Sequence, residues 1–273
     1  MAGMFNNAVT AITAVVVGAV LAGALSDGVS AQATDQYRDQ PKLRPIVAVG
    51  DSFLAGIGAG DYDEVNGCRR SRNSMPALLA QRNGAALVDL TCPGATTAHT
   101  DRSMAAIPQN SGLILIQVGG NDIGFLTIAG ACFIASERAC LEQVSRGQSQ
   151  VPSIATDLRH QIATIKQRSR DADIVVLGYP RLLGNPRQCE SLMTPARVAS
   201  INALQRQLDR TLRAVAISSG ARFVDWPRRI DRHSLCSTRP WYALPGTRID
   251  DLLHPTPIAA RVMARHVGKA LSR

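Results

Sequence analysis

Five short apolar runs rich in β-branched residues recur along this chain, and no other feature constrains its fold as tightly. They are Ile46–Val49, Ala86–Leu90, Leu113–Val118, Ile174–Leu177 and Arg222–Val224 with its neighbours. All are short and flanked by Gly, Pro or polar residues, as strands buried in a parallel sheet are. Segments with helical spacing lie between them. Residues 74–82 start at a Ser cap with Pro76 close behind. Residues 152–169 place Ile154, Leu158, Ile162 and Ile165 on one face. Residues 196–217 do the same with Val198, Ile201, Leu204, Leu208, Leu212 and Val215, and residues 257–271 close the chain. Strands and helices alternating at these lengths imply βαβ units and an α/β/α layered domain. Residues 130–150 and 227–253 fit no regular element and read as long loops.

The first residues differ in character. Ala8 to Leu25 carry no charge, and a polar stretch follows that ends in Ala31-Gln32-Ala33. This pattern predicts an export signal over residues 1–33, although the segment before it lacks Lys and Arg. An uncleaved anchor helix is the competing reading, because the apolar run is just long enough to span a bilayer. Residues 34–45 then form a polar mature tail, and residues 46–273 form the folded domain. The six cysteines fit export: an even count without a CxxC pair reads as three disulfides and argues against a zinc ribbon. Six cysteines allow fifteen pairings.

The net charge is +9 and is carried mainly by arginine. A basic surface suits contact with an anionic envelope. The arginines are scattered with no aromatic-interleaved stripe, so nucleic acid is not an expected partner. The expected state is a monomer.

Four patches sit where chemistry belongs in a parallel sheet, beyond the strands' carboxyl ends or before the last helix. Gly50-Asp51-Ser52-Phe53 follows the first strand, so Ser52 would project from its end. Cys92-Pro93-Gly94-Ala95 follows the second, where a glycine can expose its backbone N–H. Gly119-Gly120-Asn121-Asp122 follows the third, and an Asn amide can donate to a developing oxyanion. In Asp251-Leu252-Leu253-His254-Pro255-Thr256-Pro257 the prolines push His254 and Thr256 toward extended backbone. Thr256 then suits a helix cap, and His254 lies in a tight loop at a helix N-terminus, where the dipole disfavours an imidazolium. Taken singly, the first three patches also read as turns or caps, and the fourth as a paired surface Asp and His or two of three metal ligands.

Together, and in this order, the blocks GDSF, PGATT, GGNDIGF and DLLHPT resemble those of the SGNH (GDSL-type) hydrolases, across about residues 45–271. The likeness is greatest to secreted bacterial esterases and lipases with three disulfides. It implies a flavodoxin-like five-stranded parallel sheet of order 2-1-3-4-5. It also implies disulfides Cys68–Cys92, Cys132–Cys140 and Cys189–Cys236. By the same resemblance Ser52 is the nucleophile, His254 its base and Asp251 the triad acid. The Ser52 and Gly94 backbone N–H groups and the Asn121 amide are the oxyanion donors. Pro93 departs from the small polar residue that many relatives carry before the glycine.

The expected activity is hydrolysis of carboxylic esters, of small molecules or lipids, outside the cell or at its envelope. No metal or organic cofactor is needed. An acyltransferase or deacetylase acting on envelope glycans or glycolipids would use the same residues, and a non-catalytic envelope-binding domain is a third reading.

Overall fold

A computed structural model describes residues 43–272. The segment expected to direct export lies outside the described residues. Among those described, no helix is long and apolar enough to cross a membrane.

All five expected strands form. Strands β1 (Ile46–Gly50), β4 (Leu87–Asp89), β5 (Leu113–Gln117), β6 (Asp173–Leu177) and β7 (Arg222–Val224) make one sheet in the order β4-β1-β5-β6-β7. Every pairing in it is parallel. Counting only these strands, the order is the expected 2-1-3-4-5.

The apolar runs are continuous because both faces of the sheet are covered, and successive side chains point to opposite faces. Val47, Val49, Ile114, Ile116, Ile174 and Val176 pack in one core cluster. Helices α5 (Glu137–Arg168) and α6 (Pro195–Ser218) supply Ile154, Leu158, Ile162, Leu204, Leu208 and Leu212 to it. Their neighbours in sequence, Ile46, Ala48, Leu113, Leu115, Val175 and Leu177, face the other way. They pack on Leu79 of α2 (Met75–Asn83) and on Met263 and Val267 of α7 (Pro257–Leu271). The N-caps behave as the sequence implies at α2, where the Ser74 side chain accepts from the Ala77 N–H.

Residues 130–150 correct the sequence reading, because they are not a loop. Helix α4 (Phe125–Ile134) is followed almost at once by α5, whose cap Ser136 accepts from the Ala139 N–H. Two residues that look like loop punctuation lie inside α5. Pro152 stands within the helix and does not start it. Gly147 is there for contact: a Cβ would sit 2.8 Å from the Ile123 carbonyl oxygen and 3.0 Å from Leu204. Residues 227–253 are largely irregular as expected, with short 3₁₀ turns at Arg228–His233 and Ile249–Asp251. The hairpin β2 (Tyr62–Val65) with β3 (Cys68–Ser71) was not legible in the sequence. Three disulfides join Cys68–Cys92, Cys132–Cys140 and Cys189–Cys236.

Leu158 is fully buried between α5 and the sheet. Leu158→Ala should lower the unfolding free energy by about 2–5 kcal/mol in urea titrations, the usual range for a cavity at such a site. A loss under about 1 kcal/mol would mean that this face of the core is loosely packed.

Candidate active site

Three loops leave the carboxyl ends of three adjacent strands, and the switch in strand order around β1 brings them together. From β1, Gly50 leads into Asp51 and the short helix α1 (Ser52–Ala55). A Cβ on Gly50 would lie 2.3 Å from the Gln117 carbonyl oxygen, so only glycine allows this approach to β5. Asp51 caps α1: its Oδ1 accepts from the Phe53 N–H at 3.0 Å. From β4, residues Cys92-Pro93-Gly94-Ala95 form a turn ahead of helix α3 (Thr97–Ser103), closed by the Ala95 N–H to the Cys92 carbonyl (3.0 Å), with Gly94 at φ +79°. Pro then Gly at the turn's centre suits the positive φ. From β5, the Asn121 amide donates to the Ala95 carbonyl at 3.0 Å and so joins the second loop to the third. An amide has a second N–H, which this bond leaves available.

His254 arrives from the far end of the chain. Thr256 is extended (φ −69°, ψ 170°) and Pro257 begins α7, as expected. The His254 Nε2 lies 2.7 Å from Ser52 Oγ, 202 positions away in sequence. Its Nδ1 lies 2.9 Å from the Leu252 carbonyl oxygen. A carbonyl only accepts, so Nδ1 carries the hydrogen and the neutral ring's Nε2 accepts from the Ser52 hydroxyl. Burial holds the His254 pKa below its ordinary 6.5, against the opposing pull of the Leu252 carbonyl and Asp251.

The bond expected between Asp251 and the ring is not the one made. Residues Asp251 to His254 form a type II turn: the His254 N–H donates to the Asp251 carbonyl (3.1 Å), Leu252 has φ −52° and ψ 141°, and Leu253 has φ 65°. In that turn the central carbonyl, that of Leu252, takes the place in front of Nδ1. The Asp251 carboxylate instead accepts from Tyr62 Oη at 2.8 Å and Arg69 Nη2 at 2.9 Å.

Beneath Ser52 runs a buried polar chain that the sequence did not reveal. Tyr179 Oη donates to Asp51 Oδ2 at 2.5 Å and accepts from the Gly120 N–H at 3.0 Å. It thus ties the residue before Ser52 to the residue before Asn121. Burial raises the Asp51 carboxyl from 3.8 to about 7, against the lowering effect of its bonds from Tyr179 and the Phe53 N–H.

Two spaces meet at Ser52. One is a narrow buried slot of about 70 Å³, lined by Phe53, Ile123, Phe125, Ile128, Leu204 and Leu208 among others. The other is an open groove of about 950 Å³ that contains Ser52, Gly94, Asn121 and His254. Exposed Leu126, Ile134 and Ile249 stand on the banks of this groove. Among the described residues no group of His, Cys, Asp and Glu is arranged to hold a metal ion.

Known proteins resemble this chain in sequence and fold. Residues 48–262 match the GDSL-like Lipase/Acylhydrolase family. Lipase 1 of Streptomyces coelicolor is 32% identical over 244 residues, covering 88% of each chain. Among solved structures, phospholipase A1 from Streptomyces albidoflavus superposes with a TM-score of 0.77 at 28% identity, over 83% of this chain and 98% of its own. The extracellular lipase of Streptomyces rimosus gives 0.76 at 28%, over 82% and 99%. Fold and relatives define a carboxylic ester hydrolase. The chain belongs to the GDSL-like lipase/acylhydrolase family.

Asp51 holds its proton more tightly folded than unfolded, so its contribution to stability is greatest below about pH 4 and is lost as pH rises through about 7. Asp51→Asn removes this dependence. Relative to wild type, the variant should gain stability between pH 4 and pH 8 in paired urea titrations; a constant difference would contradict the raised carboxyl.

Proposed function

We propose that this protein hydrolyses esters of apolar acyl chains outside the cell, with Ser52 as nucleophile and His254 as its base. The observation that carries the reading is the 2.7 Å contact between His254 Nε2 and Ser52 Oγ, made by a ring whose Nδ1 is already committed to a carbonyl. As Oγ attacks the ester carbonyl, its proton passes to Nε2. The carbonyl oxygen becomes an oxyanion, for which the Ser52 and Gly94 N–H groups and the free Asn121 N–H are the donors. Collapse expels the alcohol, which takes the proton from Nε2. Water, deprotonated by the same nitrogen, then attacks the acyl-enzyme, and the acid leaves with Oγ reprotonated. The Leu252 carbonyl accepts from the Nδ1–H throughout, fixing the tautomer of the neutral ring and facing the imidazolium that forms in each half.

The two spaces differ in shape and so suit different halves of an ester. The narrow apolar slot suits the acyl chain, and the wide groove with apolar banks suits the alcohol portion of a lipid. That relatives include lipases and a phospholipase A1 favours lipid esters. Export is supported by the apolar N-terminal run, the three disulfides and the extracellular relative.

Ser52→Ala should reduce p-nitrophenyl butyrate hydrolysis by at least about 10³-fold, the scale on which removal of a triad nucleophile is felt. Equal slow release by wild type and variant would end the proposal. Because His254 must be neutral, kcat/KM should fall toward acid with a midpoint below 6.5. A midpoint well above 6.5 would point to a different base.

A further inference from the structure

The hairpin β2–β3 is unused by the mechanism, yet it touches both sides of the site. At one edge it reaches the loop that carries Gly94: Cys68 is disulfide-bonded to Cys92, and Arg70 Nε donates to the Thr91 carbonyl at 2.7 Å. At the other it reaches the turn that carries His254. There Tyr62 Oη and Arg69 Nη2 converge on one oxygen, Asp251 Oδ1, at 2.8 and 2.9 Å. Arg69 Nη1 adds Asp250 Oδ2 at 3.3 Å, and the guanidinium lies over the Tyr62 ring, 4.4 Å from its centroid. Tyr62 Oη also accepts from the Gly58 N–H at 2.8 Å. The backbone at Gly58 lies directly against His254: a Cβ there would be 3.0 Å from the His254 Cβ and 2.8 Å from the Pro255 carbonyl oxygen. The side chains of Arg69 and Asp251 are only 17% and 13% exposed, so solvent screens this pair far less than a surface ion pair.

We propose that Asp251 is a positioning residue, an anchor that Arg69 and Tyr62 grip so that the hairpin holds the His254 turn against Ser52. This rests on the Ser52–His254 reading above. The turn has a reason to need holding. Leu253 sits at φ 65°, a conformation that costs a branched side chain free energy, and relaxing it would swing the Leu252 carbonyl away from Nδ1. An anchor and a charge-relay acid make different demands. A relay acid must keep its negative charge, whereas an anchor needs only an acceptor oxygen for its two donors. Arg69 is dispensable to a relay but indispensable to an anchor.

The test uses the full chain and p-nitrophenyl butyrate, with kcat, KM and the acid limb of kcat/KM measured for four single variants and one double. Asp251→Ala and Arg69→Met should each lower kcat about 10- to 100-fold, the scale of a misplaced catalytic group, with KM little changed. The double variant should be no worse than the poorer single. Asp251→Asn keeps the acceptor oxygen and should recover most of the activity. The acid limb should shift in opposite directions in the two singles. The Asp251 charge favours the imidazolium and the Arg69 charge disfavours it, so the midpoint falls in Asp251→Ala and rises in Arg69→Met. Tyr62→Phe deletes a hydroxyl and no charge. It should cost several-fold in kcat without moving the limb, and it reports on the anchor even if the charge variants fold poorly. A loss near 10⁴-fold in Asp251→Asn with Arg69→Met close to wild type would make Asp251 a relay acid and overturn the proposal. So would independent, multiplying losses in the double variant, or wild-type kcat in Tyr62→Phe. If instead Ser52→Ala retains full activity, the underlying reading fails, whatever these variants do.

Discussion

The site depends on the pairing of β1 between β4 and β5. Because all three strands run parallel and β1 is central, their carboxyl ends lie side by side, and the loops carrying Ser52, Gly94 and Asn121 open toward one another. The close contact of Gly50 with the Gln117 carbonyl is the tightest point of that arrangement. The Asn121 amide, bonded to Ala95, and Tyr179 Oη, bonded to Asp51 and Gly120, then lock the loops to each other. Tyr179 and Asp51 thus hold in place the loops whose Ser52 and Asn121 face the groove.

The fourth element comes from elsewhere. His254 precedes α7, which packs with α2 on the opposite face of β1 from α5 and α6. Its loop is stitched by the Ala243 N–H to the His254 carbonyl and the Thr256 N–H to the Trp241 carbonyl, both at 2.9 Å. Burial lowers the pKa of the ring, and a backbone carbonyl fixes the tautomer of its neutral form. A backbone carbonyl does not titrate, so it accepts from the Nδ1–H whether the ring is neutral or protonated.

Much of the architecture was legible because parallel strands covered on both faces leave an unmistakable trace of unbroken apolar residues. The helix starts at Ser74 and Thr256 were legible for local reasons too: Ser74 has a capping side chain, and Pro257 holds Thr256 extended. The misread segment, residues 130–150, shows where local rules fail. Gly147 and Pro152 carry the chemistry of a break, but burial of Cys140, Val144 and Val151 on the same face outweighs it. The hairpin over residues 62–71 escaped notice because its strands, Tyr-Asp-Glu-Val and Cys-Arg-Arg-Ser, are polar and largely exposed.

The sequence by itself determined the layers, the five strands and the four blocks that meet at the groove. The layers and strands rest on a periodicity that burial imposes, and the blocks on a family resemblance that only all four together carry. Only the tertiary structure decided what stands behind His254. The choice between the Asp251 carboxylate and the Leu252 carbonyl turns on the φ of one residue and on an arginine 182 positions away that draws the carboxylate to itself. A contact between charges so far apart in sequence leaves no local pattern, because its energy depends on where folding puts the two groups.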